Sequence, residues 1–335
     1  PNNQQIYTIT TTIYRDVLGG GAGFDSPFYV TVFNLDGNTF KSVSLLLLGS
    51  RISPIALNNL GVCAKGVPTV QIEKIFYQFS DTVTVNQKGY LYVHQRCCRS
   101  STITNLETPN QQGSSYTSFL SRKAMLLNNS NAIFPFAPPV LMCVKSNFRY
   151  QFAATDINGN RLKYYLCDPY YGTDILNDKP KIASTPPYSS VQYASNYSYN
   201  HPFGDNVYVE LDSNSGLLKV ESDRIGYFTL GVCIDELDDQ QKVISSSKRD
   251  FLFNVADCVV ATARAKVEDA LETSREVYVT CKSKKIQFSN QSIDAQSYFW
   301  DFGVKYSNKD TSTLEEPIFT YQDSGTYNVT LIISK

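Results

Sequence analysis

Short runs of β-branched and aromatic residues recur along almost the whole chain, and Gly, Asn, Asp or Pro residues separate them. Residues 7–14 (YTITTTIY), 28–33 (FYVTVF) and 89–94 (GYLYVH) are examples. Such runs suit half-buried strands, and their regular interruption by turn residues is typical of β-sandwiches. The helix-like segment 263–271 (ARAKVEDAL) is short, so we expect a strand or a single turn there. The pattern predicts an all-β chain of antiparallel sandwiches in tandem.

The length of the chain and the positions of two expected joints predict three domains. The chain of 335 residues is too long for one ordinary β-domain. The proline-rich segment 134–139 (FPFAPP) is expected to be a stiff joint, and a second joint lies near Asp257 and Cys258. We therefore predict an N-terminal β-sandwich over residues 1–136, a second sandwich over residues 137–257 and a third over residues 258–335.

Charge and hydropathy argue against two classes of partner. The formal net charge is −1, whereas nucleic-acid binding draws most of its affinity from clustered Lys and Arg. The longest apolar run, residues 43–48 (VSLLLL), has the length of a strand and not of a membrane helix. The sequence predicts neither nucleic-acid binding nor a membrane-spanning helix.

The eight cysteines indicate a protein made for an oxidising compartment. Zinc would require paired Cys-x-x-Cys spacings, which the sequence does not contain. The chain begins at Pro1 without a Met or a leader, so we expect a mature secreted protein or a trimmed segment. The predicted disulfide cysteines are Cys63, Cys97, Cys98, Cys143, Cys167, Cys233, Cys258 and Cys281.

Cys97 and Cys98 are adjacent, and a bond between neighbours would close a strained eight-membered ring. On a strand their side chains point to opposite faces, so we expect each to bond a different partner. We predict that Cys63 and Cys143 are those partners. The other predicted bonds are Cys167–Cys233 and Cys258–Cys281, and the remaining connectivities of eight cysteines stay open.

His94 and His201 are the two side chains that titrate near neutral pH and so are the candidate catalytic bases. His94 lies on an alternating segment, so we expect it to be packed or at a sheet edge. His201 lies in a loop rich in Tyr, Asn and Ser, where we expect it to be solvated. The sequence contains neither a Gly-x-Ser-x-Gly elbow nor a His-Glu-x-x-His helix. We therefore predict a non-enzymatic protein.

An Asp-Phe-Gly run follows the single tryptophan. A protein kinase would need His-Arg-Asp and Val-Ala-Ile-Lys motifs as well, and neither is present. Together with the spacing of the residues that follow, the run resembles the polycystic-kidney-disease (PKD) repeat, a small Ig-like sandwich. The matching residues are Trp300, Asp301, Phe302, Gly303, Pro317, Tyr321, Gly325 and Tyr327. The resemblance implies that Trp300 fills the core of this sandwich. The chain departs from the family at Val304 and Lys305, where Asp-Gly is usual, so the turn after Gly303 must differ.

The middle domain resembles a cadherin-like sandwich. The matching segments are residues 152–164 (FAATDINGNRLKY), 212–218 (DSNSGLL) and 225–236 (IGYFTLGVCIDE). Taken with the PKD resemblance, these segments imply tandem Ig-like and cadherin-like sandwiches.

The first two domains together resemble a region of large secreted surface proteins of Bacteroidota, a group that includes the mobile adhesins of gliding motility. The segments that carry this resemblance are residues 13–16 (IYRD), 29–38 (YVTVFNLDGN), 95–100 (QRCCRS) and 249–255 (RDFLFNV). It implies an outer-surface location and export by type IX secretion. Regions outside this chain would contact the outer-membrane secretion or motility machinery.

We therefore expect a non-enzymatic segment of a secreted adhesin for gliding motility, surface attachment or biofilm formation. Its ligand would be a surface polysaccharide or a protein. The alternatives are an accessory carbohydrate-binding region of a secreted polysaccharide hydrolase and a structural spacer.

Calcium is the cofactor that the residues suggest, because Ca²⁺ takes oxygen ligands from carboxylates and amides. Asp156, Asn158 and Asn160 alternate on a tight turn, and a cadherin-like fold would bring Asp235 and Glu236 near it. The alternative is that the Asn-Gly-Asn segment is only a hairpin turn and that the acidic run is only a solvated loop.

Tyrosines crowd the middle domain, and Tyr170, Tyr171, Tyr197 and Tyr199 are candidates for stacking on sugar rings. The alternative is a long loop packed by its own rings. Thr82, between Asp81 and Val83, fits a short O-glycan acceptor pattern of Bacteroidota, or is simply a strand residue.

Overall fold

The computed structural model describes residues 3–18, 23–55, 64–65, 71–135, 137–138, 141–260, 263–274, 277–292, 295–304, 307 and 309–334. The chain divides into two compact units. Unit 1 comprises Pro1–Asn59 and Pro68–Ala256, and unit 2 comprises Leu60–Val67 and Asp257–Lys335.

The described chain is almost entirely β-structure, as the sequence predicts. The first fifteen strands are β1 (Gln4–Asp16), β2 (Phe28–Asn34), β3 (Thr39–Leu45), β4 (Ser53–Ile55), β5 (Ala64–Lys65), β6 (Ile72–Thr84), β7 (Tyr90–Arg96), β8 (Ser114–Leu120), β9 (Leu141–Cys143), β10 (Phe148–Gln151), β11 (Arg161–Leu166), β12 (Tyr208–Leu211), β13 (Leu217–Glu221), β14 (Gly226–Leu237) and β15 (Val243–Ala256). The others are β16 (Val259–Val260), β17 (Ala265–Val267), β18 (Leu271–Ser274), β19 (Val277–Val279), β20 (Lys285–Asn290), β21 (Ser297–Asp301), β22 (Thr311–Ser312), β23 (Ile318–Thr320) and β24 (Thr330–Ser334).

Helical structure in the described ranges is limited to short pieces. The α-helix α1 covers Arg122–Leu127, and 3₁₀ turns cover Gly49–Arg51, Pro109–Gln111 and Ile175–Asn177. The side chain of Ser121 caps α1 by accepting a hydrogen bond from the backbone N–H of Ala124. Within the described residues, no helix has the length and apolar character needed to cross a membrane.

One large sheet is the framework of unit 1. Its strands follow the order β11-β14-β15-β8-β7-β2-β3, and β9 pairs with β15 outside this path. The pairings along the path are antiparallel, whereas β9 runs parallel to β15. The sheet therefore joins strands from both halves of the unit.

Two smaller sheets pack against different parts of this framework. The sheet β1-β6-β4 closes a core that contains Phe28, Ile75, Tyr77 and Met125. The sheet β10-β13-β12 closes a second core, whose buried residues are Phe148, Phe152, Phe203, Leu218, Phe228, Phe251 and Phe253 among others. A fully buried side chain of this size stabilises the fold by about 1.5–3 kcal/mol, so the aromatic residues supply much of the stability of both sandwiches.

The predicted boundary between residues 136 and 137 is wrong, because it does not separate two compact units. β8 lies before it and β15 after it, yet Leu120, Phe119 and Ser118 pair with Ser245, Ser246 and Ser247. The two predicted sandwiches exist as packed layers, but they share one continuous sheet. The predicted boundary after residue 257 falls within one residue of the start of the main segment of unit 2 at Asp257.

Unit 2 is a separate small sandwich. Its sheets are β17-β20-β23, β22-β21-β24 and the pairs β18-β19 and β16-β5. The core consists of Phe288, Trp300, Phe302 and Tyr321, and Trp300 is completely buried. The prediction that Trp300 fills a core is therefore confirmed.

Candidate functional site

The two adjacent cysteines bond each other. Cys97 and Cys98 form one disulfide, so the predicted bonds from Cys63 and Cys143 to these residues are wrong. β7 ends at Arg96, and the alternation of strand side chains therefore does not apply to the two cysteines. Cys97 is buried, whereas Cys98 is exposed.

The remaining six cysteines differ in their state. The predicted Cys167–Cys233 bond is present and links residues 66 positions apart. Cys143 and Cys258 are each disulfide-bonded. Cys281 is an exposed free thiol, so the predicted Cys258–Cys281 bond is wrong. Cys63 lies outside the described residues.

Two strands share the edge of β15 that faces away from β14. β8 pairs with residues 245–247, and β9 pairs with residues 254–256. In the described structure, residues 248–253 therefore have no strand partner on that edge. This opening lies next to the bonded cysteines.

The side chain of Arg99 contacts both β14 and β15 in this region. Its Nη2 and Nη1 atoms lie 2.6 and 3.3 Å from the carboxylate oxygens of Asp250, and Nη1 also donates to Thr229 Oγ1 at 3.1 Å. Nε donates to the carbonyl of Gly113 at 3.1 Å, and Nη2 to that of Tyr170 at 3.3 Å. The side chain of Arg99 is 7% exposed and that of Asp250 4%. One buried arginine therefore ties β14, β15 and the start of β8 together.

A groove of about 400 Å³ lies beside this ion pair. The last residues of β1 form part of its lining, as do the bonded cysteines and β15. Its lining residues are Thr12, Ile13, Tyr14, Arg15, Asp16, Ile72, Arg96, Cys97, Cys98, Arg99, Ser100, Ile103, Ser114, Tyr116, Pro138, Tyr227, Thr229, Asp250, Phe251, Leu252 and Asn254. Its volume lies within the range of about 300–1,000 Å³ that is usual for ligand sites.

The arginines of the groove are neutralised by carboxylates. The pairs are Arg15–Glu73 at 3.2 Å, Arg96–Asp25 at 3.2 Å and Arg99–Asp250 at 2.6 Å. The lining thus presents compensated charge, hydroxyl groups and apolar surface, and these features suit a neutral partner.

A smaller cavity of about 140 Å³ adjoins the groove. The two share lining residues, which are Ile13, Tyr14, Arg15, Arg96 and Tyr116. His94 lines this cavity and stacks on Phe28 with ring centroids 3.9 Å apart. Its Nδ1 atom is 2.8 Å from the carbonyl oxygen of Tyr29.

Burial lowers the pKa of His94 to about 4, although the Tyr29 carbonyl and the Asp25 carboxylate favour the charged form. His94 is therefore neutral at pH 7, and its exposure of only 7% confirms its predicted packed position. His201 is exposed, also as predicted.

Glu236 and the turn residues of the predicted calcium set lie near one another, since Asn129 bonds both Glu236 and Asn160, but hydrogen bonds use most of their oxygens. Asp235 and Glu236 are consecutive on β14 and point to opposite faces, and Asp235 Oδ1 accepts hydrogen bonds from Tyr165 and Ser246. Both carboxylate oxygens of Glu236 accept from N–H groups, those of Asn129 and Ala132. These bonds occupy the oxygens that a cation would need.

The turn residues of the predicted calcium set are bonded in the same way. Asn158 Oδ1 accepts from Ser130 N–H, and Asn160 Nδ2 donates to Asn129 Oδ1. Asp156 Oδ1 accepts from Asn160 N–H, and only its buried Oδ2 has no hydrogen-bond partner in the described structure. Because Ca²⁺ requires six to eight oxygen ligands, these residues do not fit a calcium site. No group of three or more His, Cys, Asp or Glu among the described residues is placed to hold a metal ion.

The four tyrosines predicted to contact glycans differ in exposure. The Lys248 ammonium lies 3.3 Å from the centre of the Tyr170 ring, and Tyr171 donates to the Gln111 carbonyl. Tyr197 is half-buried against Phe228. Tyr199 is 38% exposed. Contacts with other parts of unit 1 therefore account for three of the four.

Thr82 is an exposed residue of β6 and pairs across the sheet with Ile6. The neighbouring Asp81 is buried, and its carboxylate contacts Lys41 and Tyr92. An O-glycan acceptor motif that needs an accessible acidic residue would not have it here.

In unit 2 the Trp-Asp-Phe-Gly motif builds the end of β21. Trp300 Nε1 donates to the Leu314 carbonyl at 2.9 Å. Asp301 Oδ1 accepts from Gly303 N–H at 2.9 Å. Gly303 has φ = +73°, and a Cβ atom there would lie 2.3 Å from the Asn328 carbonyl oxygen. This position therefore requires glycine.

The other residues of the motif also make hydrogen bonds and ring contacts within unit 2. The Tyr321 hydroxyl donates to the Phe302 carbonyl at 3.0 Å, and Tyr327 stacks on Tyr321 at 3.9 Å. The carbonyl of the buried Pro317 accepts from Phe288 N–H, while Gly325 lies in an exposed turn. These contacts are structural.

The turn after Gly303 is closed by a buried aspartate. Asp310 Oδ2 accepts from Val304 N–H at 2.7 Å, and Asp310 is 4% exposed. Lys305 lies outside the described residues.

Two of the three comparisons with known proteins found no match. No protein-family model matches the chain, and no curated protein matches it. Among solved structures, the chain is similar to Escherichia coli alpha-2-macroglobulin activated by porcine elastase, with 10% identity and a TM-score of 0.19. The match covers 98% of this chain and 28% of that chain, and at this TM-score it carries no argument.

Sequence reasoning missed the ion pair of Arg99 and Asp250 and the groove beside it. Residues 95–100 and 249–255 both stand out in the sequence, but only as marks of resemblance. The local signal was an arginine directly after two cysteines. Its partner lies 151 residues away, and no local pattern connects the two.

Proposed function

We propose that the chain is a non-enzymatic segment of a secreted adhesin on the outer cell surface. The adhesin would be exported by type IX secretion and would serve gliding motility, surface attachment or biofilm formation. The observation that carries the proposal is the bonded state of the cysteines of unit 1, Cys97–Cys98 and Cys167–Cys233. Structural disulfides persist in oxidising compartments and are rare in the cytosol.

The groove of unit 1 supplies a binding surface for this role. The buried ion pair of Arg99 and Asp250 fixes the position of two lining residues. A site that is already formed loses less entropy when a partner binds. The arginines of the groove are paired with carboxylates, and His94 is neutral and buried. This arrangement favours the binding of a polysaccharide or protein partner over catalysis.

A second candidate is an accessory carbohydrate-binding region of a secreted polysaccharide hydrolase. The observation that favours it is Tyr227, which lines the groove and is 37% exposed. Exposed tyrosine rings are suited to stacking on sugars. Tyr14 and Tyr116 also line the groove.

The proposal is tested on cells. Antibodies against unit 1 should stain intact cells, and protease treatment of those cells should remove the signal. A strain with inactive type IX secretion is the control and should retain the protein inside. Deletion of the gene should reduce surface attachment and leave growth on polysaccharides unchanged. Unstained intact cells would contradict the surface location, and a growth defect on polysaccharides with normal attachment would favour the hydrolase.

A further inference from the structure

The small cavity beside the groove is lined by two side chains whose polar atoms are not fully hydrogen-bonded. Asp25 and Arg96 form an ion pair there, with an Nε–Oδ2 distance of 3.2 Å. Lys179 Nζ lies 3.0 Å from Asp25 Oδ1. These ionic contacts lack the geometry of hydrogen bonds, and Arg96 Nε and Asp25 Oδ1 are buried without a hydrogen-bond partner in the described structure. Because buried polar atoms are nearly always hydrogen-bonded, a polar ligand in the cavity would complete both groups.

The position of Asp25 is fixed from several sides. The Tyr77 hydroxyl donates to its backbone carbonyl at 2.6 Å, and Arg96 and Lys179 hold its carboxylate. A carboxylate accepts hydrogen bonds, whereas a guanidinium only donates them. A ligand with adjacent hydroxyl groups satisfies both, since one hydroxyl donates to Asp25 while its neighbour accepts from Arg96.

Aromatic rings form much of the cavity wall. Phe28 stacks on both Tyr77 and His94, with centroid distances of 4.1 and 3.9 Å. The Tyr116 ring lies 6.1 Å from His94 and within 13° of its plane. All four rings line the cavity. A largely apolar wall with a few fixed polar atoms is the usual composition of a small-molecule site, and aromatic faces suit the apolar face of a sugar ring.

We infer that this cavity binds one neutral hexopyranose residue, at the end of a glycan chain that continues into the groove. A cavity of about 150 Å³ accommodates a six-membered ring, and this one measures about 140 Å³. The cavity and the groove share lining residues, so the ring substituents and the next sugar of the chain would extend into the groove. The inference names the ligand class of the polysaccharide-binding role proposed above and rests on that role.

The charges of the lining favour a neutral sugar over an acidic one. Arg15 is paired with Glu73 and Arg96 with Asp25. The acceptor that a ligand would meet is a carboxylate oxygen, which repels the carboxylate of a uronic acid. Asp25 is also the one carboxylate in the described lining of this cavity, whereas hydrolysis of a glycosidic bond uses two. The cavity is thus suited to binding a sugar and not to cleaving it.

Saturation-transfer NMR of the full chain tests the ligand class with the methyl glycosides of glucose, galactose and mannose. At least one of them should bind, and glucuronic and galacturonic acid should bind more weakly. Asp25→Asn should raise the dissociation constant of the bound glycoside about tenfold, because hydrogen bonds to a charged group are the stronger ones. A cavity that holds only water gives no signal with any of the three glycosides, and that result overturns the inference. Tighter binding of the uronic acids also overturns it.

Gly23→Leu tests the location without removing a buried charge. Gly23 lines the cavity and is itself exposed, and a Cβ atom there would lie 3.6 Å from its nearest neighbour, the Arg15 guanidinium. The leucine side chain should therefore be tolerated and should abolish glycoside binding. Gly37→Leu is the matched control, because a Cβ atom there also has its nearest neighbour at 3.6 Å and Gly37 lines neither the cavity nor the groove. It should leave binding unchanged, and equal melting temperatures show that both variants are folded. Glycoside binding that survives Gly23→Leu overturns the inference.

The outcomes separate this inference from the proposed function. A protein that intact cells display and that mediates attachment, but that binds none of the glycosides, overturns only the sugar site. Glycoside binding that Gly23→Leu abolishes, in a protein that intact cells do not display, supports the sugar site and contradicts the adhesin role.

Discussion

The guanidinium group of Arg99 and the carboxylate of Asp250 form a buried ion pair with an Nη2–Oδ2 distance of 2.6 Å. The guanidinium also donates to Thr229, Gly113 and Tyr170, so the pair joins β14, β15 and the start of β8. A buried charge without its partner is strongly destabilising. Substitution of either residue is therefore expected to destabilise unit 1 strongly.

We predict that Asp250→Asn lowers the free energy of unfolding of unit 1 by about 3–5 kcal/mol, because it leaves the buried Arg99 unpaired. Urea denaturation measures the change. Lys219→Ala removes one partner of the half-exposed pair with Glu210 and should cost about 0–1 kcal/mol. Equal effects of the two substitutions would show that Arg99 does not depend on Asp250.

The stability of unit 1 should fall as the pH drops below 6.5 because of His94. Its pKa is about 4 in the folded protein and 6.5 in the unfolded chain. The unfolded state therefore binds the proton more tightly, and the stability present above pH 6.5 is lost towards pH 4. Between pH 7 and pH 5 we expect a loss of about 2 kcal/mol from this residue.

The measurement for His94 is urea denaturation at both pH values, with His94→Phe as the comparison. Phenylalanine keeps the ring stacked on Phe28 but does not titrate. The pH dependence of the variant should be smaller by the same amount. An unchanged pH dependence would assign the effect to other groups.

Glu236→Gln should destabilise unit 1 although the two side chains have nearly the same shape. Both carboxylate oxygens accept from N–H groups of Asn129 and Ala132, so the new amide would place a donor against a donor. Leaving such buried groups unsatisfied costs about 1–3 kcal/mol. Thermal denaturation compares it with Glu107→Gln at an exposed position, which should be neutral. Equal melting temperatures of Glu236→Gln and the parent would contradict this hydrogen-bond arrangement.

Gly303→Ala should lower the free energy of unfolding of unit 2 more than Gly325→Ala does. At Gly303 the positive φ and the contact with the Asn328 carbonyl both oppose a side chain, whereas a Cβ atom at Gly325 would lie 3.7 Å from its nearest neighbour. We expect a loss of about 2 kcal/mol or more at Gly303 and less than about 0.5 kcal/mol at Gly325. Tryptophan fluorescence follows the change, because Trp300 is buried in this core.

Peptide mapping without reduction should recover Cys97 and Cys98 in one tryptic fragment. Trypsin cleaves after Arg96 and Arg99, so it releases the tripeptide CCR, which should be two hydrogens lighter than the dithiol form. In the native protein, Cys281 should react with an alkylating agent, since it is free and exposed. Recovery of Cys97 or Cys98 linked to any other cysteine would contradict the structure.

The sequence predicted the parts of the fold that local pattern determines. Residues 7–14, 28–33 and 89–94 lie in or at strands β1, β2 and β7, and Trp300 lies in a core. The boundary at residue 136 was wrong because a proline-rich segment looks like a linker whether or not strands on its two sides pair. The pairing of β8 with β15 leaves no local signal.

The candidate site was harder to predict for the same reason. The bond between Cys97 and Cys98 depends on where β7 ends, and the calcium prediction failed because Asn129 and Ala132, outside the motif, use the oxygens of Glu236. Arg99 and Asp250 meet only after the whole of unit 1 is assembled. Long-range contacts of this kind decide the site.

The shared sheet also determines the order in which unit 1 is able to fold. The edge of β8 stays without its partner until residues 245–247 are available, so the first half of the unit cannot complete its sheet alone. Pairing between such distant segments is slow because a long loop must close first. A chain with this topology therefore keeps the edge of β8 open during much of its synthesis.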